Sequence, residues 1–226
     1  MYEKTDTLLS NQELIITNFL GERKMGDLKS AKMLGGIGSL IILIGAFIPV
    51  VGLILPIIGL ILVIIAVKYI ADESRDQTIF KNYLLYFVLN IVATIALIAI
   101  LAITVTGIAG FSYMDILSSQ TGGEIDPTTL FADIDIAALL GGCIAAFVVF
   151  WILMLIATLF LKKSFTSISQ HTNVSLFATT GLIYLIGAAL LIIVIGVIVL
   201  LIAQIMQIIA FFSLPDKLPA ATPETP

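Results

Sequence analysis

Residues 33–67 form an uninterrupted stretch without a single charged side chain. As one α-helix, this stretch would measure about 52 Å, whereas the hydrocarbon core of a bilayer is about 30 Å thick. The excess length predicts that the stretch folds back on itself. Proline cannot donate a backbone hydrogen bond and glycine tolerates unusual dihedral angles, so Pro49 and Gly52 mark the turn. We expect two helices, near residues 31–48 and 51–70.

Composition places these helices in a membrane. The chain of 226 residues is 60% hydrophobic and 12% charged, whereas soluble domains average about 45–50% apolar and about 25% charged residues. A soluble fold of this size could bury only about 70–75% of its unfolded surface, so we expect the lipid bilayer to be its main partner. A net charge of −4 gives no reason to expect nucleic acid. The single cysteine, Cys143, and the single histidine, His171, predict neither a disulfide nor a metal site, and we expect no cofactor.

Three further apolar stretches follow the first one. Residues 83–109 and 137–161 each fit one helix, whereas residues 176–212 are too long for a single untilted helix. The charged segment at residues 71–81, between the first and second apolar stretches, is predicted to form a loop outside the lipid.

The last apolar stretch resembles the first. The sequence Ile-Gly-Ala at 44–46 recurs at 186–188, and further matches follow after a shift of two residues. The comparison favours a hairpin that turns near residues 194–196 and joins helices near 176–193 and 196–212. The predicted fold class is therefore an all-α, polytopic membrane helix bundle with six transmembrane helices, two of the helix pairs being tight hairpins. Five helices are the alternative, because this stretch contains no proline.

Basic residues predict the orientation, because lysine and arginine concentrate in cytoplasmic loops. All eleven basic residues lie on one side of the six-span arrangement. Residues 110–136, between the third and fourth spans, contain acidic residues but no lysine or arginine. We therefore predict a multi-pass protein of the cell membrane with both termini cytoplasmic and an outer loop at residues 110–136.

The two ends of the chain differ from the transmembrane bundle at residues 31–212. Residues 1–30 form a cytoplasmic N-terminal segment whose apolar residues share one helical face. An amphipathic helix on the membrane surface and an ordinary solvated helix both fit that pattern. Residues 213–226 contain four prolines and are predicted to be disordered.

Polar residues inside the spans are the candidate functional residues. Ionisable residues in membranes usually mark ion pathways, and apart from Lys32 and Lys68, which lie near the ends of the first two spans, the predicted spans contain no acidic or basic side chain. This argues against a proton-coupled pump, a voltage sensor or an enzyme. Asn90 and Thr94 share a face of span three, and Gln204 and Gln207 share a face of the last span. Asn90 and Gln204 both lie roughly 12–14 Å from the inner boundary, so they could pair. We interpret these four as interhelical polar contacts, with a polar constriction or small-ligand contact near the midplane as the alternative.

Small residues recur every four positions at the start of span four. They form two adjacent stripes, Ala137, Gly141, Ala145 and Ala138, Gly142, Ala146. Such spacing lets another backbone approach closely. It predicts a helix-packing face, either against a helix of the same chain or against a partner in a homo-oligomer or larger membrane complex.

Three segments carry a resemblance to a known family. They read KMLGGIGSLIILIGAFIPVVGLILPIIGLILVIIAVKYIADE at 32–73, IFKNYL at 79–84 and IIAFFSLPD at 208–216. Over residues 31–216 the chain resembles a family of archaeal multi-pass membrane proteins that carries a domain-of-unknown-function label. The resemblance implies a membrane location and an archaeal source, and it brings no catalytic residue.

Two functions fit these features. The first is a non-enzymatic structural, scaffolding or accessory subunit that acts through helix packing. The alternative is a channel or transporter component for a small or uncharged solute, with its path along Asn90, Gln204 and Gln207.

Overall fold

The apolar stretches fold into α-helices, because backbone N–H and C=O groups in hydrocarbon must be paired within the structure. The structure, a computed structural model, describes residues 28–48, 54–108 and 136–219. Within these ranges it contains no strand. The helices are α1 (Leu28–Gly45), α2 (Leu55–Glu73), α3 (Gln77–Ile108), α4 (Ile136–Thr172), α5 (Ser175–Leu190) and α6 (Ile195–Phe212), with a 3-10 turn at Leu191–Ile193.

The six helices match the predicted fold class. Each is long and apolar enough to cross a membrane, α5 when the 3-10 turn is counted with it. The all-α membrane bundle with six rather than five helices is therefore confirmed. Most of the predicted N-terminal segment, outer loop and proline-rich tail lies outside the described residues. Residues 213–219 of that tail are described, and there the structure buries Leu214 in the core at 1% exposure.

Close backbone contact holds α1 and α2 together as a hairpin. A methyl group added at Gly38 would lie 2.6 Å from the carbonyl oxygen of Gly59, and one added at Gly59 would lie 2.5 Å from the carbonyl oxygen of Gly38. Any side chain at either position would therefore push the two helices apart. Residues 49–53, between the two helices in the sequence, lie outside the described part of the chain.

The second hairpin, α5 with α6, turns where the sequence predicted it. The 3-10 turn ends at Val194, which has a φ of 63°. This left-handed conformation is rare for a β-branched residue. The amide N–H groups of Val194 and Val197 donate to the carbonyls of Leu191 and Val194 at 3.1 and 3.0 Å. These two backbone hydrogen bonds close the turn.

The helices form a ring in sequence order, because each packs on the next and α6 returns to α1. Gly35 and Gly36 of α1 receive the rings of Phe211 and Phe212 of α6. A chain of aromatic contacts fills the interior from α3 to α6. Its ring centroids are separated by 6.4, 5.6 and 5.2 Å along the series Tyr83, Phe165, Phe177, Phe211. These side chains lie in the half of the bundle that the positive charges predict to face the cytoplasm.

The helices differ greatly in length. α3 has 32 residues and α4 has 37, whereas the other four have 16 to 19. On α3, none of the side chains described after Ala93 is buried, and among residues 136–150 of α4 only Ala146 is buried. We call residues 94–108 and 136–150 the α3–α4 arm, since they contact each other but few other parts of the described chain.

Charged side chains do not end the long helices. The sequence placed the end of the fourth span at residue 161, before two lysines, yet α4 continues to Thr172. Lysines leave the hydrocarbon but are good helix formers. The helix stops where Asn173 adopts a left-handed φ of 57°. Arg75, with a φ of 55°, plays the corresponding part between α2 and α3.

Candidate functional site

Four polar side chains meet inside the ring where α1, α5 and α6 join. They are Ser39 of α1, Tyr184 of α5, and Gln204 and Gln207 of α6, and we call them the polar cluster. Gly35 and Gly36 precede Ser39 on α1, and their lack of side chains brings α6 close to its backbone. The cluster therefore depends on the same close packing that closes the ring.

The hydrogen bonds of the polar cluster connect three helices. The side-chain amide of Gln204 donates to the backbone carbonyl of Ser39 at 2.9 Å, and its oxygen accepts from the hydroxyl of Tyr184. The side-chain amide of Gln207 donates to the hydroxyl of Ser39 at 2.8 Å. Ser39 is 0% exposed and Gln207 is 5% exposed. No buried side-chain nitrogen or oxygen among the described residues lacks a partner. The cluster is thus a closed network in which the polar groups bind one another.

The other two predicted polar contacts lie elsewhere. Asn90 donates to the carbonyl of Tyr86 at 3.0 Å, and the hydroxyl of Thr94 donates to the carbonyl of Asn90 at 2.9 Å. Both bonds stay within α3. The pair that Asn90 and Gln204 could have made does not form, because α3 packs on α2 and α4 while α6 packs on α5 and α1. Equal depth in the membrane does not make two helices neighbours.

The two small-residue stripes of α4 face different surroundings. A methyl group at Gly142 would lie 2.2 Å from the side chain of Thr104 on α3, and Ala146 is fully buried. A methyl group at Gly141 would meet nothing within 4 Å, and Ala137 and Ala145 of that stripe are exposed. One stripe therefore packs within the chain, and the other lies on the outer surface of the arm.

Sequence reasoning missed two members of the polar cluster, Ser39 and Tyr184. Ser39 is a polar residue in the first uncharged stretch, and Tyr184 lies in the middle of α5. A polar group at either position costs free energy unless it has a hydrogen-bond partner. The presence of a polar residue in these apolar stretches was therefore the sequence signal that could have pointed to the cluster. Trp151 of α4 is half-buried, and its indole N–H donates to the carbonyl of Ala188 at 2.9 Å.

A second set of polar contacts joins the turn between α2 and α3 to the turn between α4 and α5. The carboxylate of Asp76 accepts from the backbone N–H of Thr78 at 2.9 Å and from its hydroxyl. It also lies 3.2 Å from Nε2 of His171 at the end of α4. The hydroxyl of Thr78 is the main reason that the pKa of Asp76 lies below its ordinary value, and His171 adds to the effect. Among the described residues, no group of three histidine, cysteine or acidic side chains could hold a metal ion. These contacts fit a structural clasp at the membrane surface.

Comparison with known proteins identifies relatives without an assigned activity. A family model described as "Protein of unknown function (DUF996)" matches residues 55–205, which include α2 to α5 and the first part of α6. The uncharacterized protein MJ1644 of Methanocaldococcus jannaschii is 36% identical over 192 residues, which cover 85% of this chain and 96% of that protein. No solved structure matches the chain.

Proposed function

The chain belongs to the DUF996 family of proteins of unknown function, and from that premise we propose that it is a non-enzymatic membrane protein that acts through helix packing, as a structural, scaffolding or accessory subunit. Its working surface is the outside of the helix ring, and its partners are the lipid bilayer and other membrane-embedded chains or copies of itself. We place it in the cell membrane with both termini in the cytoplasm.

The closed polar cluster carries this proposal. A solute pathway needs polar groups that face an open space, because a passing solute exchanges its hydration for contacts with them. In the cluster, Gln207 and Ser39 bind each other and are almost completely buried. Interhelical hydrogen bonds of this kind stabilise membrane helices by about 0.6–1.7 kcal/mol each. The polar residues are thus accounted for by helix association.

The alternative, a channel or transporter component, is favoured by one observation. The cluster joins three helices inside the ring, so a rearrangement of Gln204 would expose a polar surface there. Such a rearrangement would have to break the bonds of Gln204 to both Tyr184 and Ser39.

Purification from native membranes in mild detergent tests the proposal. We expect native mass spectrometry to show a complex larger than one chain, either a homo-oligomer or a stoichiometric assembly with another membrane protein. Oxidative crosslinking through Cys143, which is exposed on α4, gives a second measurement on unpurified membranes. A chain that is strictly monomeric in both measurements would contradict the accessory role.

Flux measurements in liposomes separate the alternative from the proposal. Wild type and Gln204→Leu are reconstituted at equal density and compared with empty vesicles for water and small uncharged solutes. We expect all three to leak at the same rate. A wild-type flux above that of empty vesicles, reduced by Gln204→Leu, would overturn the proposal in favour of the channel.

A further inference from the structure

The helices of the ring reach different heights above a common cytoplasmic level. A methyl group at Gly181 of α5 would lie 3.0 Å from the Cα atom of Lys162 of α4, so Gly181 and Lys162 lie at the same height in the bundle. Near the other end of α5, Ala188 is bonded to Trp151 of α4. Trp151 lies about 16 Å along the helix from Lys162. The turn at Leu191–Ile193 is therefore only about 16–20 Å above the level of Lys162.

The described end of α2 lies at a similar height. The ammonium group of Lys68 lies 5.3 Å from the centroid of the Phe80 ring, which places Lys68 of α2 beside Phe80 of α3. From Lys68 to Leu55, α2 rises about 20 Å. The same distance along α3 from Phe80 leads to Ala93, after which none of the side chains described on α3 is buried. The outer ends of α2 and α5, as far as the structure describes them, thus lie level with the start of the α3–α4 arm.

The arm continues for about 22 Å beyond both turns, and it is entirely uncharged. The apolar part of α4 at residues 136–161, which ends just before Lys162, measures about 39 Å, whereas the hydrocarbon core is about 30 Å thick. A bilayer whose inner boundary lies at Lys162 therefore extends about 10 Å above the hairpin turns. Tilting the long helices reduces the height of the arm and of the rest of the bundle along the membrane normal in the same proportion.

The chemistry of the turns agrees with this depth. Turns in water favour Gly, Pro, Asn, Asp and Ser, but the second turn presents exposed aliphatic side chains, among them Ile193 at 54% and Val194 at 74%. The first turn begins with the equally apolar and exposed Phe47 and Ile48. Neither residues 46–54 nor residues 190–195 contain a charged or hydroxyl side chain. Hydrocarbon is the environment that favours such side chains.

Hydrogen bonds close part of the backbone at the second turn, where each unpaired group in lipid would cost several kcal/mol. The carbonyl of Ala188 accepts from the N–H of Leu191 and from the indole N–H of Trp151 on the neighbouring helix. The N–H of Val194 donates to the carbonyl of Leu191, and the N–H of Val197 donates to the carbonyl of Val194. These bonds lower the cost of placing the turn in hydrocarbon.

We propose that the α1–α2 and α5–α6 hairpins enter the membrane from the cytoplasmic side and turn within the hydrocarbon, and that only α3 and α4 reach the outer surface. The outer side of the protein is then stepped, and acyl chains of the outer leaflet pack on the two turns and around the arm. Each short helix could cross a thin bilayer alone, but its register against α3 and α4 sets its depth. The inference does not depend on the accessory role.

The tryptophan of the wild-type protein measures this depth directly, because Trp151 is the only one in the chain and lies level with the end of α5. The protein is reconstituted in phosphatidylcholine vesicles whose acyl chains carry bromine at different positions. We expect the greatest loss of fluorescence with bromine near the chain ends, at the bilayer centre. Strongest quenching by bromine next to the headgroups would overturn the proposal, since the turns would then lie at the outer boundary.

Two matched cysteine variants give an independent measurement. In a Cys143→Ala background, Ile193→Cys places a spin label on the second turn and Ile136→Cys places one at the outer end of α4; the two isoleucines are similarly exposed, at 54% and 66%. We expect the label at position 193 to be accessible to oxygen but not to a water-soluble nickel chelate, and the label at 136 to be accessible to the chelate. Equal access of the chelate to both labels would overturn the proposal.

Discussion

Gly59→Ala tests whether direct backbone contact holds the first hairpin together. The added methyl group would lie 2.5 Å from the carbonyl oxygen of Gly38 and 3.0 Å from the backbone nitrogen of Ile42. Ordinary contact begins at 3.4 Å, so α1 and α2 would have to separate by about 1 Å. These neighbours are backbone atoms and cannot rotate away. Overpacking of this kind costs about 1–3 kcal/mol.

Gly141→Ala is the matched control. It adds the same methyl group to a helix, and therefore the same gain in helix propensity, at a position where nothing lies within 4 Å. The free energy of unfolding is measured by titration with sodium dodecyl sulfate in mixed micelles, followed by the fluorescence of Trp151. We expect Gly59→Ala to be less stable than Gly141→Ala by about 1–3 kcal/mol. Agreement of the two variants within about 0.5 kcal/mol would refute the argument from close backbone contact.

The other expectations concern the polar cluster, the arm and the contacts of Asp76 with Thr78 and His171. A double-mutant cycle of Gln207→Leu and Ser39→Ala should give a coupling energy of about 0.6–1.7 kcal/mol in the same titration; additive effects would mean that the two side chains do not interact. Gly142→Leu should separate the arm helices at Thr104 and destabilise the protein by about 1–3 kcal/mol, whereas a stable variant would contradict the packing of this stripe. The lowered pKa of Asp76 contributes stability above its ordinary value of 3.8, which is lost as pH falls through the folded-state pKa. Asp76→Asn should therefore flatten the acid side of the stability curve, and an unchanged acid limb would count against that role.

The architecture could be predicted because it follows from lengths and charges. An uncharged stretch longer than a bilayer must fold back, and the repeated Ile-Gly-Ala segment located the second hairpin to within a few residues of Val194. Sequence position also placed Gln204 and Gln207 at a depth where they need partners. For both glutamines the structure supplies those partners on other helices.

Helix neighbours could not be predicted in the same way. Depth along a helix is proportional to residue number, but the order of helices around the ring is set by tertiary packing. Equal depth therefore made a pair of Asn90 with Gln204 look feasible, although α3 and α6 are three positions apart in the ring. Similarly, the two stripes of α4 have the same kinds of residues, and only the rotation of α4 against α3 decides that Gly142 is covered while Gly141 is not. Such a rotation leaves no trace in residue spacing.

The bonds of Ser39 also constrain how the protein is made. Its partners Gln204 and Gln207 follow 165 and 168 residues later in the chain, so α1 enters the membrane long before α6 has been translated. Until then the hydroxyl of Ser39 has no glutamine donor, and the glycine surface of α1 has no phenylalanine rings against it. The first hairpin therefore lacks these contacts until the last helix has been made. Completion of the bundle requires the last helix to dock onto the first.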